Sequence, residues 1–343
     1  MDNDNIARVV SEHRERYVVR TRKGDFEGEI MGNLRFTATS RADFPAVGDW
    51  VDIMEYDEDK VLIQSIHPRS SVLERQAVGN QGDRQIIAVN VDCALIVQAV
   101  DRDFNLNRVE RYLALCLQAK IEPVVVLNKI DLIEKDVLVA LLESVKKRSP
   151  GVRALAISNE TEAGYEELLA LIEEEKTYCL LGSSGVGKST LTNKLTGQNP
   201  MQTDEISSST GKGRHVTSHR ELFSISNEAF LIDNPGMREV GIADAGEGLE
   251  ATFEDITEAA LHCKFKDCTH TSEKHCAVLE GLESGDIDPE SYENYLKMER
   301  EKDHFEATAM EKRQKDKDFG KMIRNVKKDL NSLSDKRKGS YGK

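Results

Sequence analysis

Three nucleotide-binding signatures stand along this chain in an order that strongly limits the folds it can adopt. Asn128-Lys129-Ile130-Asp131 comes first, Gly182-Ser183-Ser184-Gly185-Val186-Gly187-Lys188-Ser189 second and Asp233-Asn234-Pro235-Gly236 third. In the usual arrangement the glycine-rich phosphate loop opens the domain and the Asn-Lys-x-Asp base reader comes near its end. A cyclic reordering reconciles the two, because it keeps every strand and loop in place and moves only the termini. The expected fold is therefore a circularly permuted α/β P-loop domain. Its last signature, a switch, runs directly into whatever follows it.

Each signature has a chemical reason. The stretch Gly182–Ser189 fits G-x-x-x-x-G-K-[ST], after the apolar run Thr177–Leu181 and before a helical pattern over Thr190–Thr196. Glycines let consecutive backbone N–H groups turn inward around phosphate oxygens, aided by the positive end of the following helix. Lys188 is expected to reach the β- and γ-phosphates and the Ser189 hydroxyl to ligate Mg²⁺. Ser183, Ser184, Gly185, Val186, Gly187 and Thr190 complete the expected phosphate contacts. Asn128 and Lys129 introduce Asp131, whose carboxylate can accept hydrogen bonds from the ring N–H and exocyclic amine of guanine. Adenine offers no such donor pair, so discrimination should be large. Ser158 stands where a second base-contacting loop belongs.

Asp233 is expected on Mg²⁺, and the Gly236 N–H is expected to sense the γ-phosphate. The stretch Ser207–His219 reads as a first switch, with Thr217, or failing that Thr210, as the second Mg²⁺-linked hydroxyl. Position 237 is Met, where many GTPases carry the glutamine that orients the attacking water. His215 and His219 are candidates for that role, and slow intrinsic hydrolysis is expected.

Cys263-x4-Cys268-x-His270-x5-Cys276 supplies three thiolates and one imidazole, the set for a closed tetrahedral Zn²⁺ site. With four protein ligands no open position remains, so the expected role is structural. His262 and His275 flank the ligands, and either could exchange with His270. Cys93, Cys116 and Cys179 lie in apolar segments and read as small core residues.

Around these motifs the texture of the chain changes twice. Tyr17–Thr21, Phe26–Met31, Trp50–Tyr56 and Val61–Ile66 read as short strands with glycine-marked turns, which suggests an OB-fold, although an SH3-like barrel would give nearly the same pattern. From Val72, apolar runs at Cys93–Ala99 and Pro123–Leu127 alternate with helical spacing at Arg108–Ala119, Val137–Lys147 and Tyr165–Ile172, as in a doubly wound sheet. The expected division is 1–71 (barrel), 72–246 (permuted nucleotide domain) and 247–343 (metal site, helices and basic tail).

At 343 residues the chain has room for all three units. Its 39% hydrophobic and 31% charged content, with no apolar run long enough to span a bilayer, suits a soluble protein. The start Met-Asp-Asn-Asp-Asn has neither the basic residues nor the apolar core of a signal peptide, so a cytoplasmic protein is expected. The net charge of −14 argues against indiscriminate coating of nucleic acid. It is uneven, however: Glu311–Lys343 carries 12 Lys/Arg against 5 Asp/Glu, a net of +7, which leaves −21 on the residues before it. A basic end on an acidic body suits docking on an RNA-rich surface, and equally a solvated helix with a frayed end.

The permuted order, the barrel before it and the cysteine–histidine knuckle after it together resemble the ribosome small subunit-dependent GTPase A (RsgA) family. Asn90-Val91-Asp92, Arg111-Tyr112-Leu113 and Gly211-x-Gly213-Arg214-His215 add to the likeness, which spans roughly residues 15 to 300. The resemblance implies a late-acting assembly factor of the small ribosomal subunit, binding near the decoding region through barrel and zinc domain. It further implies GTP hydrolysis stimulated by the ribosome and a role for His215 in that step. Two positions depart from the family pattern. Asn159 follows Ser158 where the family usually has Ala, and Val216 interrupts a run of threonines next to Thr217.

Three readings follow. The first is a GTPase timed by contact with rRNA of the small subunit, monomeric by default. The second is a non-ribosomal guanine-nucleotide switch whose barrel and zinc domain bind a protein, a reading the acidic body favours. The third, a P-loop kinase, leaves Asn128–Asp131 unexplained.

Overall fold

The computed structural model describes residues 5–13, 16–38, 40–76, 84–101, 104–197, 220–233 and 246–307, together with 310, 311 and 314. Strands β1 (Ile6–His13), β2 (Arg16–Thr21) and β3 (Gly24–Ile30) are followed by helix α1 (Gly32–Thr37), then β4 (Trp50–Asp57) and β5 (Lys60–Ile66). Antiparallel pairing joins β1 to β2, β2 to β3 and β4 to β5, while β3 and β5 run parallel. The β1–β4 pairing closes the cylinder, giving the OB-type five-stranded barrel that the glycine-marked turns predict. Ala7, Val9, Tyr17, Val19, Val51, Ile53, Val61 and Ile63 fill it.

Strand β1 lies upstream of the first strand read from sequence, and its burial explains the omission. Ala7, Arg8, Val9 and Val10 are all buried, so the usual apolar–polar alternation is absent. Ala7 and Val9 face the barrel core, whereas Val10 joins the core of the α/β domain. The same strand pairs with the nucleotide domain through Ser11 and Glu221. Arg8 donates to Thr177 Oγ1 at 2.6 Å, with its guanidinium 5.1 Å from the Trp50 ring centroid and 4.7 Å from that of Phe230. Burial lowers its pKa to about 10, against the attraction of Asp92.

A ribbon of β6 (Val72–Gln76) and β7 (Arg84–Val89) precedes the main sheet and pairs only with itself among the described residues. The permuted domain then runs β8 (Cys93–Ala99), α2 (Leu106–Gln118), β9 (Glu122–Asn128), α3 (Lys135–Arg148), β10 (Arg153–Ala156), α4 (Tyr165–Leu171), β11 (Thr177–Leu181), α5 (Lys188–Thr196), β12 (Glu221–Ser224) and β13 (Phe230–Asp233). The sheet order is β10-β9-β8-β11-β13-β12, parallel except for the antiparallel β12. Alternate residues of β8 divide between the two cores: Ala94 and Ile96 face one, Cys93, Leu95 and Val97 the other. Every residue of β8 and β11 is buried, which is why both read as nearly continuous apolar runs, with Gln98 and Thr177 the polar exceptions.

The C-terminal part contains α6 (Gly246–Thr252), α7 (Glu254–Ala260), α8 (Ala277–Ser284) and a helix α9 over 289–307. Its core of Leu249, Phe253, Ile256, Val278, Ile287, Tyr295 and Met298 also takes in Ala114 of α2. Helix α6 crosses α2 at Gly248, where a Cβ would stand 2.0 Å from the Ala114 carbonyl oxygen. Only glycine allows that approach. Among the described residues no helix is long and apolar enough to cross a membrane.

Candidate functional site

The first two signatures and Asp233 of the third lie at the carboxyl ends of parallel strands of one sheet: β9 ends in Asn128, β11, one strand away across β8, feeds the phosphate loop, and β13 beside it ends in Asp233. Residues more than fifty positions apart in sequence are joined there by hydrogen bonds. Asn128 is fully buried, and its Nδ2 donates to the Val186 carbonyl at 2.7 Å. Its Oδ1 accepts from the backbone N–H of Lys129 at 2.8 Å and of Asn159 at 3.2 Å. One amide thus ties the two loops expected to read the base to the phosphate loop.

Lys129 adopts a left-handed backbone with φ of 68°, and its ammonium donates to Asp101 at 2.9 Å. This turn presents Asp131 at the surface, where Ser158 Oγ donates to its Oδ1 at 2.5 Å. Ser158 itself is buried and accepts from the backbone N–H groups of Glu160 and Thr161. The two loops expected to read the base therefore share one hydrogen-bonded unit.

In the phosphate loop, Lys188 donates to the carbonyls of Gly182 at 2.8 Å and Ser183 at 2.6 Å. Burial pulls its pKa down to about 8, although the charge of Asp233 acts in the opposite sense. The loop is also braced from behind, because Tyr112 of α2 hydrogen-bonds Ser183; burial pushes that phenol up to about 12. Ser189 and Thr190 sit half-buried in the first turn of α5.

The second cluster lies in the loop between α7 and α8. The ligand atoms of Cys263, Cys268, His270 and Cys276 all lie within 4.8 Å of one another and could hold a metal ion. Cys263 Sγ and Cys276 Sγ are 3.8 Å apart, and each stands 3.5 Å from His270 Nδ1. A tetrahedron with metal–sulfur bonds of about 2.3 Å and a metal–nitrogen bond of about 2.0 Å has edges close to these lengths. Burial opposes ionisation of Cys263, but backbone hydrogen bonds from Val278 and Ala277, with the neighbouring thiols, outweigh it and lower its pKa. Burial and the neighbouring thiols of Cys276 and Cys263 raise Cys268 to about 11, against a backbone hydrogen bond from His270. The intervening loop is shaped by Glu273, which accepts from the backbone N–H groups of Thr269, Thr271 and Ser272. Tyr292 of α9 donates to the His270 carbonyl at 2.5 Å.

A family model described as RsgA GTPase matches residues 66–243, more than half of the chain. The chain belongs to the RsgA GTPase family. A relative from Oceanobacillus iheyensis, "Small ribosomal subunit biogenesis GTPase RsgA 1", is 39% identical over 88% of this chain and 86% of its own length. The crystal structure of YjeQ from Thermotoga maritima superposes with a TM-score of 0.64 and 26% identity, over 86% of this chain and 96% of that one. YloQ, described as a circularly permuted GTPase, gives 0.63 at 24% identity over 87% and 95%, a likeness of fold. An ABC transporter model also matches residues 166–335, under half of the chain. That stretch contains the strand–phosphate loop–helix unit, which many P-loop proteins share.

As an RsgA GTPase the protein hydrolyses GTP, and its motif order and sheet connectivity make it circularly permuted. Of the RsgA site residues expected from sequence, the base reader, Ser158, the phosphate loop, Thr190 and Asp233 gather on one edge of the sheet, and the four metal ligands gather in one loop. His215, Thr217, Gly236, Thr210, His219 and Met237 lie outside the described residues, as does most of the basic tail. The sequence marks Tyr112 as part of a family cue and Asn159 as a departure from the family pattern, but assigns neither side chain a contact at the site. The contact of Tyr112 with the phosphate loop gives no sign in sequence, since an aromatic on an apolar helix face reads as core.

Proposed function

We propose that this GTPase acts in maturation of the small ribosomal subunit, binding GTP across the permuted pocket and hydrolysing it when the subunit engages. Asp131, with Asn128, Lys129 and Ser158, would recognise guanine. Gly182–Thr190 would cradle the phosphates, and Lys188 would exchange its two carbonyl partners for the β- and γ-phosphate oxygens. A bound Mg²⁺, held by Ser189 with Thr217 and Asp233 in support, would neutralise charge developing on those oxygens. The Gly236 N–H would register the γ-phosphate and His215 would align the attacking water. The observation that carries this reading is the Asn128 amide, which fixes the base reader against the phosphate loop at 2.7 Å.

The cluster of three cysteines and one histidine would hold a structural Zn²⁺, since four protein ligands of this type in a closed tetrahedron leave no position for substrate. In this reading 1–71 is the barrel that meets rRNA, 72–246 the GTPase domain and 247–343 the zinc domain with its basic tail. The protein would be a cytoplasmic monomer acting late in subunit assembly. The decisive experiment measures GTP and ATP turnover with and without purified small subunits. Strong stimulation restricted to GTP is expected. Unchanged turnover without co-sedimentation would instead favour a switch that binds a protein partner, a reading that the net charge of −21 ahead of the tail supports.

A further inference from the structure

Asn159 uses every polar atom of its side chain to join the loop after β10 to the start of α5 and to α4, beside the Asn128 amide. Its Nδ2 donates to the Gly187 carbonyl at 2.9 Å, and its Oδ1 accepts from the Tyr165 hydroxyl at 2.8 Å. Gly187 caps the start of α5 with φ of 98°, and a Cβ there would lie 2.3 Å from Asn128 Nδ2 and 2.7 Å from Asn159 Nδ2. The two amides therefore occupy the space a side chain would need. Tyr165 is held in turn: Lys194 of α5 lies 5.6 Å from its ring centroid and donates to Glu162 at 2.5 Å. Contacts run from the start of α5, through the loop after β10, into α4 and back to α5. The circuit is closed.

We infer that Asn159 is a positioning residue, a latch with Tyr165 as its strut, which sets how long nucleotide stays bound. The inference rests on the proposed nucleotide site. A ligand held at both base and phosphates needs the spacing of its two binding loops fixed, and the Asn159 amide fixes it. Ser158 carries the effect onward, because it donates to Asp131 from the adjacent position. Alanine at 159 would keep the backbone N–H but release the Gly187 carbonyl and the Tyr165 hydroxyl together.

The test is the release rate of a fluorescent GDP analogue from the full-length protein. Asn159→Ala should release it about tenfold faster, Tyr165→Phe about threefold faster, and the double variant no faster than Asn159→Ala alone. In steady-state turnover the loss should fall more on KM than on kcat. Wild-type release from Asn159→Ala, or effects of the two substitutions that add, would overturn the latch. If Asn159→Ala fails to fold, Tyr165→Phe decides the matter alone: faster release at an unchanged Tm supports the latch, and wild-type release overturns it. Lys188→Ala separates this from the site itself. Weak binding by that variant alongside wild-type release from Asn159→Ala sinks only the latch, whereas normal binding by Lys188→Ala sinks the site.

Discussion

Lys188 sits in a pocket that disfavours its charge. Burial brings its pKa to about 8 while two backbone carbonyls hold the ammonium in place. Below pH 8 the group is already charged, and its titration should not make nucleotide affinity vary with pH. Above pH 8 the free protein carries a neutral amine that must take up a proton to meet the phosphates. GDP affinity should then fall, by at most about tenfold per pH unit, until the pKa of the complex is reached. Calorimetric titrations at pH 7 and pH 9 should show this loss, together with proton uptake at pH 9. A flat profile would contradict the depressed pKa. Lys188→Ala and Ser189→Ala should each abolish turnover. The residue types at this site were legible in the sequence, because a phosphate loop needs glycines, a lysine and a hydroxyl at fixed spacing. The state of the lysine was not, since it depends on burial and on Asp233, 45 positions away.

Helix α2 joins the proposed nucleotide site to the helices that flank the cysteine–histidine cluster. Tyr112 braces the phosphate loop, Ala114 lies in the C-terminal core and Arg111 pairs with Glu301 of α9, at 2.5 Å and 2.9 Å. Glu110 is buried in the same helix, takes both ends of the Arg148 guanidinium at 2.7 Å and 2.8 Å, and accepts from Ser291 and Asn294 of α9. Removing Glu110 leaves the buried Arg148 without its bidentate partner, with only longer carboxylate contacts to Glu290 at 3.3 Å and Asp288 at 3.5 Å. Glu110→Ala should therefore cost about 3–5 kcal/mol in denaturant unfolding, with much of it recovered when Arg148 is replaced by an apolar residue of similar size. The apolar spacing of α2 revealed a helix in the sequence, but a glutamate on it reads as solvent-facing until Arg148 and α9 are seen to enclose it. The metal loop was the reverse case: donor types and spacing sufficed, since few other roles gather three cysteines and a histidine in 14 residues. Chelation should unfold this loop and α8, as followed by hydrogen exchange, while leaving GDP affinity largely unchanged.

Across the whole molecule, the permutation makes the proposed second switch precede the C-terminal helices closely in the chain: 12 residues separate Asp233 from Gly246, the first residue of α6. Helix α6 packs directly on α2, which also touches the phosphate loop. Exchange of a non-hydrolysable GTP analogue for GDP should consequently alter hydrogen-exchange protection in α6 and α9, and metal removal should weaken that response. The three-part architecture was legible because each part has its own texture: turn-rich strands, alternating strands and helices, and a cysteine-rich loop before Glu/Lys-rich helix. The seams were hidden. Strand β1 serves two cores at once and so shows no alternation, and Gly248 on α6 gives no sign in sequence of the helix it meets. The claim beneath all of this is that Asp131 reads guanine for a phosphate loop more than fifty residues away in the chain. Its most direct test compares binding of guanine and xanthine nucleotides to the wild-type protein and to Asp131→Asn. An amide can donate to the extra carbonyl of xanthine but no longer accepts both guanine protons, so the variant should lose GDP affinity on the order of a hundredfold or more and bind XDP better than GDP. GDP bound by Asp131→Asn as tightly as by the wild-type protein would contradict the account.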